Sequence, residues 1–88
     1  MQVEFRKTFK QDLRDIKDRK VLERIRSVIE EVEAANSLLS VTNVKAIQGH
    51  VGYYRIRIGD FRLGLYVDSG VVAFVRILHR KEMYRYFP

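Results

Sequence analysis

Arg55, Arg57 and Arg62 recur at close spacing in YYRIRIGDFRLGLYVD, residues 53–68, and Arg76 follows in VVAFVRIL, residues 71–78. A guanidinium presents a planar fork matched to phosphate oxygens and stays charged at any working pH. A group of them can grip a nucleic-acid backbone or stabilise charge on a reacting phosphate. Tyr53, Tyr66 and Tyr84 lie in the same half of the chain and offer rings on which bases can stack. His50 and His79 are the only side chains whose unperturbed pKa lies near neutrality, so either could shuttle a proton. A lone histidine at a strand end serves equally well as a structural hydrogen-bonding group. Other chemistries lack their residues. There is no cysteine, no Gly-rich phosphate loop and no GxSxG, and two histidines do not make a zinc site. No metal or cofactor is expected.

The arginines must be held by the stretch that contains them. Tyr54, Ile56 and Ile58 alternate with Tyr53, Arg55 and Arg57; Phe61, Leu63 and Leu65 alternate with Arg62, Gly64 and Tyr66. Period-two alternation predicts strands with one apolar face and one basic, tyrosine-bearing face. Three consecutive strands from Tyr53 to Leu78 are expected, turning at Gly59-Asp60 and at Asp68-Ser69-Gly70. The dry face should carry Ile56, Ile58, Phe61, Leu63, Leu65, Ala73, Val75 and Ile77. The other should leave Arg55, Arg57, Arg62, Tyr66 and Arg76 open. An antiparallel sheet covered on one side exposes polar residues on the other in any case, so the alternation fits a working surface and a merely wet one.

Upstream, Gln2–Phe5 reads as a short strand. Thr8 and Gln11 have capping-box spacing, and Phe9, Leu13 and Ile16 follow at helical intervals, predicting a helix from about Thr8 to Lys17. Asp18 should break or cap the chain. Val21, Leu22, Ile25, Val28, Ile29 and Val32 then form an amphipathic stripe ending near Ala35, with Asn36 suited to a left-handed position. Residues 37–42 read as a polar connection and residues 44–52 as an irregular lead-in to the sheet. His79–Pro88 favours about one helical turn. This order predicts a single α+β domain over residues 1–88, its N-terminal strand and helical hairpin packed on one face of a mainly antiparallel sheet.

The formal charge is +6, unevenly spread: nine basic and eight acidic residues up to Thr42, seven and three from Gly52 onward. A basic surface of this kind attracts polyanions, nucleic acid first. Neither a signal-peptide core nor a membrane-length apolar stretch occurs, so a cytoplasmic location is expected.

YRIRIGDFRLGLY together with HRKEMY, placed after a helical hairpin, resembles the RelE/ParE superfamily of type II toxin–antitoxin toxins, and within it the RelE-type mRNA interferases. The resemblance spans essentially the whole chain. It implies an endoribonuclease toxin that enters the ribosomal A site, cuts mRNA and stops translation. In such enzymes the ribose 2′-hydroxyl attacks the adjacent phosphate, leaving a cyclic phosphate and a 5′-hydroxyl. The matching positions here are Arg55, Arg57, Arg62, Arg80 and Tyr84. Some members carry lysines where this chain has Arg55 and Arg57. Arginine does not readily give up its proton, so His79 becomes the candidate base, with Lys81 a further contributor. The implied partners are the ribosome, mRNA and a cognate antitoxin in a heteromeric complex, with no membrane. Two alternatives differ in class: a ParE-like inhibitor of DNA gyrase, whose branch generally lacks the basic set, and a non-catalytic RNA- or protein-binding module on the same fold.

Overall fold

One sheet organises the chain, and its strands are the alternating segments. The computed structural model describes all 88 residues. The elements are β1 (Gln2–Phe5), α1 (Lys7–Arg14), α2 (Arg19–Ala34), a 3-10 turn (Leu38–Ser40), β2 (Val44–Ala46), β3 (Tyr53–Ile58), β4 (Phe61–Asp68), β5 (Val71–His79) and α3 (Met83–Tyr86). The strand order is β1-β5-β4-β3-β2. β1 runs parallel to β5 and the other pairs are antiparallel. The α+β expectation holds, as do β1, the three-strand meander and the second helix. No helix is long and apolar enough to cross a membrane.

The helices cover one face. Phe9 of α1 and Ile25 and Val32 of α2 are buried with Ile56, Ile58, Leu63, Leu65, Val72, Phe74 and Ile77 from the sheet. Asp18 caps α2 as expected, its carboxylate accepting from the amides of Lys20 (2.9 Å) and Val21 (3.3 Å). At the other end the Met1 ammonium donates to the carbonyls of Val32, Glu33 and Ala35, at a helix C-terminus, whose last carbonyls need partners from outside the helix.

Several local expectations are corrected. The Thr8 hydroxyl donates to the Val75 carbonyl at 2.6 Å, so there is no capping box and Arg6 is the N-cap. α1 ends at Arg14 because the chain turns to bury Ile16 in the core. Ala35, after α2, is extended; the left-handed non-glycine residues are Asn43, with φ 65, and Ser69, with φ 52, not Asn36. Val44–Ala46, read as irregular, pairs with Ile56, Arg55 and Tyr54 as an edge strand.

The largest correction concerns β5. Gly64 pairs with Arg76 but Leu65 pairs with Phe74, so one extra residue sits in β5. A bulge of this kind reverses which side chains face which side. Val72 and Phe74, not Ala73 and Val75, therefore join Ile77 in the helix-side core. Val75 packs instead against a second cluster on the opposite face, where Leu78, Met83 and Phe87 are buried beside Ile47 and Tyr53. That face is thus partly covered. Arg76 is not open either. Its guanidinium bonds both oxygens of Asp12 on α1, at 2.7 and 3.0 Å, and lies 5.8 Å from the Tyr86 ring.

Gly64 makes the second cluster possible. A Cβ there would come within 2.8 Å of two Phe87 ring carbons, closer than real contacts allow. Gly64→Ala should therefore lower the Tm by several degrees, about 1 kcal/mol corresponding to ~4–8 °C at this size. In a Phe87→Ala background the same change should cost close to nothing. An equal penalty in both backgrounds, measured by thermal denaturation, would exclude the ring as its cause.

Candidate active site

The open part of the second face follows directly from strand register. Tyr53 pairs with Tyr66, Arg55 with Gly64, and Arg57 with Arg62. Along the two strands this face reads as a tyrosine pair, a glycine under the Phe87 ring, and an arginine pair. The tyrosine and arginine pairs lie four residues, or roughly 13 Å, apart. Like charges directly opposite on a sheet oppose folding, so Arg57 and Arg62 are an arrangement that stability does not favour.

Arg62 is tethered. Its Nη1 donates to the carbonyls of Gly59 (2.8 Å) and Phe61 (2.9 Å). Burial, then Arg55, Arg57 and Arg80, push its guanidinium below the usual arginine value, while Tyr84 opposes the shift. Arg55, Arg57, Arg80 and Tyr84 therefore lie within electrostatic reach of Arg62. Arg80 is brought in by the turn after β5, where its amide donates to the Asp60 carbonyl at 2.7 Å. Its side chain stands 3.9 Å from the Asp60 carboxylate in an exposed pair, a contact of little energetic weight. Tyr84 projects from α3 and is 71% exposed, whereas Met83 and Phe87 on either side are the buried anchors. Two shallow clefts meet at Arg55. One, of ≈ 230 Å³, is lined by Asn43, Lys45, Arg55, Arg57 and Arg62. The other, of ≈ 430 Å³, includes His50, Arg55, Tyr84 and Phe87. No acidic side chain lines either one.

The remaining expected residues divide. Tyr53 and Tyr66 share the face, ring centroids 4.7 Å apart, but Tyr53 also packs edge-on against Phe87 at 5.6 Å. Arg76 is occupied by Asp12. Lys81 stands exposed in the turn; its backbone amide donates to His79 Nδ1 at 3.2 Å. His79 pairs directly with Phe61, and Arg62 pairs with Leu78, so His79 lies on the opposite face from Arg62. It lines a different cleft, with Asp12, Asp15, Asp18 and Glu82, and its ring is 5.8 Å from that of Phe61. The sheet itself thus stands between His79, expected as the base, and the arginines. His50 is the imidazole on the arginine side. Lys45 and Asn43 were missed, and the only signal for them was the brief alternation of Val44-Lys45-Ala46.

Known proteins share the sequence pattern and the fold. A family model described as ParE toxin of the type II toxin–antitoxin system parDE matches residues 3–84. Toxin RelE3 of Methanocaldococcus jannaschii is 43% identical over the full length of both chains. The RelB–RelE antitoxin–toxin complex from Methanococcus jannaschii contains a chain that superposes with a TM-score of 0.82 at 42% identity, covering 96% of this chain and 98% of that one. The YoeB dimer from Staphylococcus aureus shares the fold at 18% identity and a TM-score of 0.73, over 90% of this chain and 95% of its own. The chain belongs to the RelE/ParE superfamily of type II toxin–antitoxin toxins.

Proposed function

We propose that this toxin is a RelE-type endoribonuclease that cuts mRNA in the ribosomal A site. The observation that carries the reading is the convergence of Arg55, Arg57, Arg62, Arg80 and Tyr84 on one face, with Arg57 and Arg62 directly opposed. Unpaired cations crowded at a cost to stability are a feature of functional sites. In the proposed reaction the 2′-oxygen forms a bond to phosphorus as the bond to the 5′-oxygen breaks. The 2′-hydroxyl proton passes to a base, and the 5′-oxygen takes a proton from solvent water and leaves as a hydroxyl. Such in-line transfer needs positioning and charge neutralisation more than a protein nucleophile. Arg62, fixed by two backbone carbonyls, holds the scissile phosphate. Arg55 and Arg57 bind the flanking backbone and the transition-state charge, Arg80 supports the leaving oxygen, and Tyr84 orients or stacks on the substrate. His50, on the arginine side, takes the role of base from His79. A cognate antitoxin binds this toxin, and acidic residues in its binding segment suit the basic face.

The parDE description of the family model keeps gyrase poisoning as the second reading. It predicts DNA breaks with intact mRNA, and indifference to the arginines.

Arg62→Ala should abolish growth arrest and A-site cuts in mRNA mapped after brief induction; undiminished cutting would sink the assignment. His79→Ala should cut within a few-fold of wild type, whereas His50→Ala should slow cleavage by about 10²-fold, the lower range for general base catalysis. Arg57→Gln should lose activity yet raise the Tm by a degree or two, more at low salt, because it relieves exposed like-charge repulsion. A lower Tm would show that Arg57 serves the fold.

A further inference from the structure

The largest cleft, ≈ 620 Å³, lies between α2 and β3, beside the arginine cluster. Its lining includes Lys20, Arg24, Asn43 and Arg57, and Asn43 and Arg57 also line the small cleft that holds Arg62. The two depressions therefore adjoin at Asn43 and Arg57, close to the β3–β4 turn. Gly59 forms that turn and has a guanidinium on each side. Arg62 Nη1 bonds its carbonyl at 2.8 Å, and Arg24 Nη1 lies 2.8 Å from where a Cβ would stand. Gly59, with φ 58, thus suits the turn and also leaves room for Arg24 to lie on it. Lys20 and Arg24 are four residues apart, on one side of α2, and neither takes part in an ion pair. Of the two acids in the cleft, Glu31 is engaged by the amide and hydroxyl of Thr42, at 2.9 and 3.2 Å. Glu23 is the other.

We propose that Lys20 and Arg24 form a second phosphate-binding arm, which continues the anion path of Arg62 and Arg57 over the Gly59 turn onto α2. The ligand chemistry is an RNA phosphodiester backbone. Two sources supply it: the mRNA strand beyond the cleaved bond, and ribosomal RNA beside the A site. The inference rests on the proposed function only in taking RNA as the polyanion. Arg26, two residues along α2 and so on nearly the opposite side, pairs with Glu30 at 3.7 Å in an exposed contact and serves as the charge control.

The test is fluorescence anisotropy with the full chain and a labelled 2′-O-methyl RNA dodecamer, which binds but has no 2′-hydroxyl to attack. Titrations between about 50 and 200 mM salt give the slope of log affinity on log salt, and each lost contact to a single strand should reduce it by about 0.7. The Lys20→Ala/Arg24→Ala double variant should lower the slope by about 1.4, Arg26→Ala should leave it unchanged, and Glu23→Gln should tighten binding. An unchanged slope in the double variant overturns the arm. So does an equal loss in Arg26→Ala, which would mean diffuse charge attraction. Cleavage on programmed ribosomes then separates the sources. A defect seen with long mRNA and absent with mRNA ending at the A-site codon assigns the arm to mRNA, and a defect independent of mRNA length assigns it to ribosomal RNA. If the slope changes while wild-type protein cuts no mRNA, the arm stands and the nuclease reading fails; cutting with an unchanged slope gives the reverse.

Discussion

One extra residue in β5 sets the arrangement on which the rest depends. Without the bulge beside Gly64 and Leu65, a single alternation would run from Val71 to His79 and place Val75 under the helices. With it, Val72 and Phe74 feed one core while Val75 and Leu78 feed the other. The same region is where β1 ends and α1 takes over the edge of β5. The Thr8 hydroxyl satisfies the Val75 carbonyl, and Asp12 accepts from the Ile77 amide at 3.1 Å. Arg76, next to the bulge, then joins β5 to α1 through Asp12 and reaches the Tyr86 ring of α3.

The site occupies what the two cores leave uncovered. Phe87 packs against Gly64 because glycine offers no side chain there, which divides the face into a tyrosine end and an arginine end. At the arginine end nothing neutralises the charge except the exposed Arg80–Asp60 contact. The backbone carbonyls of Gly59 and Phe61 hold the Arg62 guanidinium without cancelling its charge, so its field remains available to an anion. Positioning without neutralisation is what a phosphate site needs.

Periodic features were readable from the residues. The stripe from Val21 to Val32, the Asp18 cap and the strands of the meander each repeat a short-range rule over enough residues to be unambiguous. The faces of Arg55, Arg57 and Arg62 follow from the same rule. What was not readable depends on partners distant in sequence. Thr8 has the right spacing for a cap, but its hydroxyl is taken by Val75, 67 positions away. Arg76 alternates as if open, but the bulge and Asp12 claim it. His79 lies close in sequence to Arg80 and Tyr84, yet strand pairing turns it to the far side. Val44–Ala46 is too short to show a period. The resemblance to known toxins supplied what no local rule could, a reason for the exposed arginines to work together.

The two cores differ greatly in size, thirteen buried residues against three, and the groups proposed for catalysis are divided between them. Arg55, Arg57 and Arg62 ride on strands anchored in the larger one. Arg80 and Tyr84 belong to the segment held by Met83 and Phe87 in the smaller one. Burial of one such side chain contributes about 1.5–3 kcal/mol, so undocking the last ten residues is a far smaller event than unfolding the sheet. Sub-global openings of this kind set local amide-exchange rates. The working constellation is therefore an equilibrium property: its occupancy depends on the docking of a few apolar side chains and only weakly on the global stability of the fold.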